Sequence, residues 1–203
     1  FGSSCIYPKD IKKTITEKML LSGKLEYTNE PYAIAKIAGI KLCESYNIQY
    51  KTNYKCLMPC NSYGPNDNYD SKNSHFFAAL IKKIYLAKKN KKKSITIWGS
   101  GKPKRELIFV DDIADACVFF MNKKIPFPLI NIGTGIDKTI LEYAKILMSE
   151  FKIKLKIEYD KTKPDGVKKK LLDIKLSKKY GWTAKTSLNK GIIKTLVSLN
   201  YKI

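Results

Sequence analysis

In 203 residues this sequence has one histidine, one arginine, no C-x-x-C pair and no long apolar run. With His75 alone, the five cysteines (Cys5, Cys43, Cys56, Cys60 and Cys117) lack the imidazoles and the pairing that a Cys/His zinc site needs. An odd count of unpaired cysteines gives no disulfide framework either. They read as reduced thiols of a cytoplasmic protein, with Cys43 and Cys117 on core-facing helix positions. No apolar stretch reaches the roughly 18 residues of a membrane span. Internal repeats and low-complexity linkers are also missing, so the composition, 44% hydrophobic and 28% charged, reads as a soluble globular chain.

Arginine is scarce where positive charge is not. The net charge is +21, yet 38 of the 39 basic residues are lysine. A basic patch for nucleic acid is one reading of that excess, since cationic side chains neutralise phosphates. Proteins that read nucleic acid lean on the guanidinium fork for bidentate contacts, however, and here Arg105 stands alone. The densest run, Lys88 to Lys93 interrupted by Asn90, falls at the end of a predicted helix, where cations favour the dipole. The lysines therefore read as solvated faces and no nucleic-acid partner is expected, with a basic binding module as the rival class.

A third absence concerns glycine. Strands and helices alternate along the chain, which argues for an α/β fold with a largely parallel sheet. Predicted strands cover Tyr54–Pro59, Ile95–Trp98, Glu106–Val110, Leu129–Ile132 and Ile153–Tyr159, with Gly2–Tyr7 as a strand end. Predicted helices cover Glu30–Tyr50, Ser74–Lys89, Asp111–Met121, Leu141–Phe151 and Leu188–Leu199. Asn29 and Pro31 mark the start of the first helix, whose Ile34, Ile37, Ala38, Leu42 and Cys43 have helical spacing. A doubly wound nucleotide-binding sheet opens on a strand, a Gly-rich turn and a helix N-terminus that holds pyrophosphate. The nearest matches, Gly99-Ser-Gly and Gly133-Thr-Gly, lack the third glycine. Together with the opening Phe1-Gly-Ser-Ser-Cys-Ile-Tyr, this leads us to expect an N-terminally truncated chain, with about three βα units, roughly 100 residues, ahead of Phe1.

Tyr32 and Lys36 stand four apart on the first helix, so both side chains emerge on one face. An ammonium beside a phenol stabilises the phenolate and suits it to proton transfer near neutrality. Tyr85/Lys89 and Tyr159/Lys163 share that spacing. Only Tyr32 follows a segment, Gly2 to Tyr7, that can present a serine hydroxyl at the carboxyl end of a strand, where ligands bind in open α/β sheets.

Gly2-Ser-Ser-Cys-Ile-Tyr-Pro, Asn29-Glu-Pro-Tyr-Ala-Ile-Ala-Lys and Asn61-Ser-Tyr-Gly-Pro-Asn-Asp-Asn resemble the extended short-chain dehydrogenase/reductase family, and within it the GDP-L-fucose synthases (GDP-4-keto-6-deoxymannose epimerase-reductases). The resemblance continues through Asn73-Ser-His, Trp98-Gly-Ser-Gly, Arg105-Glu, Val110-Asp-Asp, Asn131-Ile-Gly-Thr-Gly and Pro164-Asp-Gly, almost to the end of the chain. It implies a Rossmann-like doubly wound parallel sheet with a smaller α/β substrate-binding domain. Residues 1–63 would be the C-terminal portion of the NADP-binding domain, and 64–203 mainly the substrate domain, with short returns to the first at about 105–135. By resemblance, Ser3, Tyr32 and Lys36 form the hydride-transfer triad, and Cys5 and His75 the acid–base pair of epimerisation. Cofactor contacts fall on Phe1, Gly2, Ser3, Ser4, Lys36, Pro59, Cys60, Asn61, Ser62 and His75. Lys83, Trp98, Arg105 and Asp165 match positions that contact the GDP-sugar, Lys83 where the family commonly has arginine. No metal site is expected. The resemblance implies NADP(H) as cofactor, a GDP-sugar as substrate and a homodimer. Another nucleotide-sugar epimerase or dehydratase and an inactive fragment are the alternatives.

Overall fold

The computed structural model describes residues 1–70, 74–126 and 129–201, so Asn73, singled out above, lies outside the described residues. Six helices are described: α1 (Glu30–Tyr50), α2 (Phe76–Lys89), α3 (Val110–Met121), α4 (Ile140–Glu150), α5 (Lys175–Lys179) and α6 (Leu188–Ser198). The strands are β1 (Cys56–Pro59), β2 (Asn61–Tyr63), β3 (Ser94–Trp98), β4 (Lys104–Phe109), β5 (Leu129–Ile132), β6 (Asp137–Thr139), β7 (Lys156–Asp160) and β8 (Lys169–Lys170). The chain divides into two compact units, and β2, β4 and β6 each straddle a crossing between them.

The first unit comprises Phe1–Ser62, Glu106–Asp137 and Lys169–Lys185. Its β1 and β5 pair in parallel, Leu57 opposite Ile130. Both are buried almost end to end, as expected of parallel strands covered on two faces. Ile37 and Ile40 of α1, Ile113 and Phe120 of α3, and Trp182 pack into the same core. Pro31 lies in the first turn of α1, whereas Asn29 makes no side-chain cap bond. The apolar spacing of α1 misleads in part. Ile34 and Leu42 point outward, 54% and 58% exposed, and the buried stripe is Ala33, Ile37 and Ile40. Cys43 and Cys117, expected on core-facing positions, are half-buried and pack against this core.

The predicted strand over Gly2–Tyr7 is replaced by a tight helical turn at Ser4–Ile6. The Gly2 N–H still donates to the Leu57 carbonyl, 3.0 Å away, as a strand neighbour would. Ser3 Oγ then accepts from the Cys5 N–H at 3.3 Å and ends the extended run, because a short hydroxyl offers the backbone a local partner.

Two buried polar groups tie this unit together. Asn131, fully buried, accepts from the Tyr7 hydroxyl at 2.6 Å and donates from Nδ2 to the carbonyls of Ile15 (2.9 Å) and Asp173 (3.3 Å). Its backbone N–H donates to Glu17 Oε1 at 2.9 Å. Glu106, also fully buried, accepts from the N–H groups of Thr134 and Gly135, each at 2.7 Å, and of Leu172 at 2.9 Å. Burial pushes the Glu106 carboxyl upward and these bonds pull the other way.

The second unit comprises Tyr63–Arg105, Lys138–Lys168 and Thr186–Ile203. Helices α2, α4 and α6 bury Ile81, Ile84, Leu147, Ile192 and Leu196, and Tyr63, Phe77 and Tyr143 make edge-on ring contacts. Thr139 and Glu142 form a reciprocal capping box at the start of α4. β3 pairs with β7 in parallel, Trp98 opposite Asp160. Along β3, Ile95 and Ile97 turn inward and Thr96 and Trp98 outward.

Candidate functional site

In the first unit, the helical register of α1 places Lys36 Nζ 5.6 Å from the centre of the Tyr32 ring. The ammonium also donates to the Phe1 carbonyl at 3.1 Å, which joins the helix to the start of the Ser3–Cys5 turn. Tyr32 is 49% exposed, so its phenol is reachable from solvent. Ser4 is buried and Ser3 is not, which leaves Ser3 as the hydroxyl at the surface of the turn. Cys5 Sγ accepts from Lys170 Nζ at 3.7 Å, a contact that the run Lys168-Lys169-Lys170 does nothing to single out in the sequence.

Pro59 to Ser62 continue from β1 into β2. The Cys60 N–H donates to the Ile132 carbonyl at 2.9 Å, and Asn61 Nδ2 donates to the Glu106 carbonyl at 3.0 Å. Burial, aided by Glu106, pushes the Cys60 thiol well up, so that thiol stays neutral. Gly2 packs where a Cβ would run into the Met58 side chain.

The second unit carries the other half of the expected residues. Lys83, Trp98, Arg105 and Asp165 all line one cavity of ≈ 250 Å³, with Phe76, Ile97, Pro103 and Pro164 among its apolar walls. Lys83 Nζ lies 5.4 Å from the Trp98 ring centre and donates to the Thr96 carbonyl at 3.1 Å. Partial burial pulls its ammonium below the usual lysine range, and Asp160 opposes that shift. Lys163 stands 5.7 Å from the same indole ring. The Asp165 carboxylate accepts from the Ser100 N–H at 2.6 Å and the Ser100 hydroxyl at 2.7 Å. Those bonds hold its carboxyl below the ordinary range. Gly99 has φ +68, and a Cβ there would strike Asp165, so glycine is required on both counts. Arg105 Nη1 donates to the Val167 carbonyl at 2.6 Å and the Lys104 carbonyl at 2.9 Å, fixing the loop that carries Asp165.

His75 is exposed and occupies the N-cap position of α2, with no side-chain cap bond. It belongs to the second unit, whereas Ser3, Cys5, Tyr32 and Lys36 belong to the first. Sequence reasoning gives no site role to Lys170, Glu106 or Lys163. The buried glutamate left one faint signal, its place directly after the lone arginine. Among the described residues, no group of three or more His, Cys, Asp or Glu could hold a metal ion, and no helix is long and apolar enough to cross a membrane.

Residues 1–133 match the family described as NAD dependent epimerase/dehydratase. The chain is 45% identical over 203 residues to the GDP-L-fucose synthase of Escherichia coli K12, covering 96% of this chain and 63% of that protein. It is 46% identical over 194 residues to GDP-L-fucose synthase 1 of Arabidopsis thaliana, covering 96% and 60%. A crystal structure of a GDP-L-fucose synthetase from Naegleria fowleri bound to NADP superposes with a TM-score of 0.89 at 26% identity, covering 98% of this chain and 64% of that one. The chain thus spans about three fifths of the length of the curated relatives it matches.

Proposed function

The chain belongs to the NAD dependent epimerase/dehydratase family, and from that premise we propose that it carries the active-site segments of a GDP-L-fucose synthase, converting GDP-4-keto-6-deoxy-D-mannose to GDP-L-fucose. The observation that carries the reading is the cavity of the second unit, where all four residues assigned to the GDP-sugar, Lys83, Trp98, Arg105 and Asp165, converge. Cations and an exposed indole around an apolar pocket suit a nucleoside diphosphate.

The first unit fits the nicotinamide-riboside end of NADP(H). A ribose diol needs both a donor and an acceptor, and the Lys36 ammonium and the Phe1 carbonyl offer them 3.1 Å apart. Phe1 to Ser4, Lys36, Pro59 to Ser62 and His75 are the residues assigned to the cofactor. When bound, NADPH supplies the hydride that reduces C4. Ser3 donates its hydroxyl proton in a hydrogen bond to the C4 carbonyl oxygen, which polarises the carbonyl. Tyr32 gives its phenolic proton to that oxygen as reduction makes it an alkoxide, and Lys36 stabilises the phenolate left behind. Before reduction, the C3 and C5 protons are acidic because each flanks the carbonyl. Cys5 takes such a proton and His75 returns one on the opposite face of the sugar, which inverts the centre. A homodimer, a cytoplasmic location and no nucleic-acid or membrane partner complete the reading.

The decisive experiment supplies GDP-4-keto-6-deoxy-D-mannose and NADPH to the protein in deuterated water. GDP-L-fucose labelled at C3 and C5 is the expected product. Reduction at C4 with neither position labelled would mark a simple C4 reductase and overturn the reading.

A further inference from the structure

Lys170 has no part in the chemistry so far, yet its ammonium donates to Cys5 Sγ at 3.7 Å. Such a contact between a surface lysine and a thiol carries little weight alone, since a four-carbon stem samples many positions. This lysine is not placed by its own stem alone. It lies on β8, and two residues on, the Leu172 N–H is held by the buried Glu106 carboxylate at 2.9 Å. The Ile15 N–H donates to the Leu171 carbonyl at 2.8 Å, and the Asp173 N–H donates back to the Ile15 carbonyl at 2.7 Å. Both Leu172 and Ile15 are buried in the core of the first unit. Cys5 is fixed just as firmly from its own side, between the Ser3 cap and Tyr7, whose hydroxyl is anchored on Asn131. Two separately anchored backbones therefore bring one ammonium and one thiol together.

We propose that Lys170 is a positioning and charge-balancing residue for the epimerisation step, holding the Cys5 sulfur in place and stabilising it while it is anionic. This rests on the reading of Cys5 as the base. In the step, the Cys5 thiolate takes the proton from the carbon next to the carbonyl, and the C–H electron pair becomes the enolate double bond. The negative charge moves to the C4 oxygen, the sulfur becomes a neutral thiol, and the Lys170 ammonium stays protonated throughout.

The test compares Lys170→Met and Lys170→Arg with the unaltered protein, measuring the rate of Cys5 alkylation by iodoacetamide at pH 7 by mass spectrometry and solvent deuterium uptake at C3 and C5. Lys170→Met is expected to slow both roughly tenfold, and Lys170→Arg to restore most of each, at an unchanged melting temperature. If Lys170→Met alkylates and exchanges as the unaltered protein does, the proposal is wrong. It is equally wrong if Arg fails to rescue while both variants melt normally. Should Lys170→Met fold poorly, the Lys170→Arg to Lys170→Gln ratio of alkylation rates carries the same decision, a ratio near one overturning it. Cys5→Ser separates the two levels of argument: retained exchange in that variant sinks the assignment of Cys5 itself, whereas lost exchange there with normal exchange in Lys170→Met sinks only the role of Lys170.

Discussion

The two units handle polar groups in opposite ways. In the first, Glu106 and Asn131 are fully buried and spend most of their bonding capacity on backbone. In the second, Asp165, Lys83 and Trp98 stand at the wall of a cavity, where Asp165 meets a hydroxyl, Lys83 a carbonyl and Trp98 an ammonium. Buried polar networks are costly to break and so fix geometry, whereas exposed ones are cheap to rearrange around a ligand. The contrast assigns rigidity to the unit that carries Tyr32, Lys36, Ser3 and Cys5, and adaptability to the unit expected to hold the nucleotide.

The largest expected effect falls on the first unit and leaves its stability alone. Tyr32→Phe removes a half-exposed hydroxyl, so turnover should drop by roughly 10²–10⁴ while the melting temperature stays put, because a positioned acid contributes about that much. A parallel loss of stability in thermal melts would mean that Tyr32 is structural.

Glu106→Ala is the reverse case. It strips the acceptor from three backbone N–H groups in a site without solvent, and each unsatisfied buried donor costs roughly 1–3 kcal/mol. We expect a loss of about 3 kcal/mol or more in urea unfolding, and a milder one for Glu106→Gln, which keeps one acceptor oxygen. If Glu106→Ala unfolds at the unaltered urea midpoint, the contrast between the units collapses.

Local causes are legible in the sequence and distant ones are not. Pro31, Asp111 and Asp112 announce helix starts, and three of the four residues of β5, Leu129-Ile-Asn-Ile, are apolar, so those elements were legible. The four residues read as GDP-sugar contacts stand together at one cavity, although nothing local in the sequence says so. What was illegible depends on partners far along the chain. β8 is two lysines held in a strand only by distant pairing, and the Ser3 turn forms where a strand end was predicted because its own hydroxyl caps it. Ile34 and Leu42 have the periodicity of a buried stripe, yet the core lies against another face, that of Ala33, Ile37 and Ile40.

In the second unit effects should be smaller and visible in binding. Arg105→Lys keeps the charge but loses the planar guanidinium, whose Nη1 donates to both the Val167 and Lys104 carbonyls, so the GDP-sugar KM should rise by about tenfold at a nearly constant kcat. A fall in kcat at unchanged KM would instead place Arg105 in the chemical step.

Smallest is the pH dependence of the Asp165 latch. Its carboxyl is held below its ordinary 3.8 first by the Ser100 N–H and then by the Ser100 hydroxyl. A carboxylate lowered in the folded state contributes stability that is present above 3.8 and is lost as pH falls through the lower folded value. Acid titration followed by Trp98 fluorescence should therefore show a transition below 3.8 that moves upward in Ser100→Ala. A transition identical in both proteins would remove the latch from the account.

The five crossings between the units have a further consequence, for synthesis at the ribosome. The first unit is closed by Lys169–Lys185, which includes Leu172 bridged to Ile15 and Trp182 in the core. Nearly the whole chain must emerge before Ile15 meets its partner, and every residue of β3, α4 and β7 is translated in between. A stop codon before Leu172 would release a chain whose second unit has most of its segments while the first keeps an open core. Nascent chains of that length are expected to be the ones most in need of a chaperone, since contacts so distant in sequence form late and leave apolar surface exposed meanwhile.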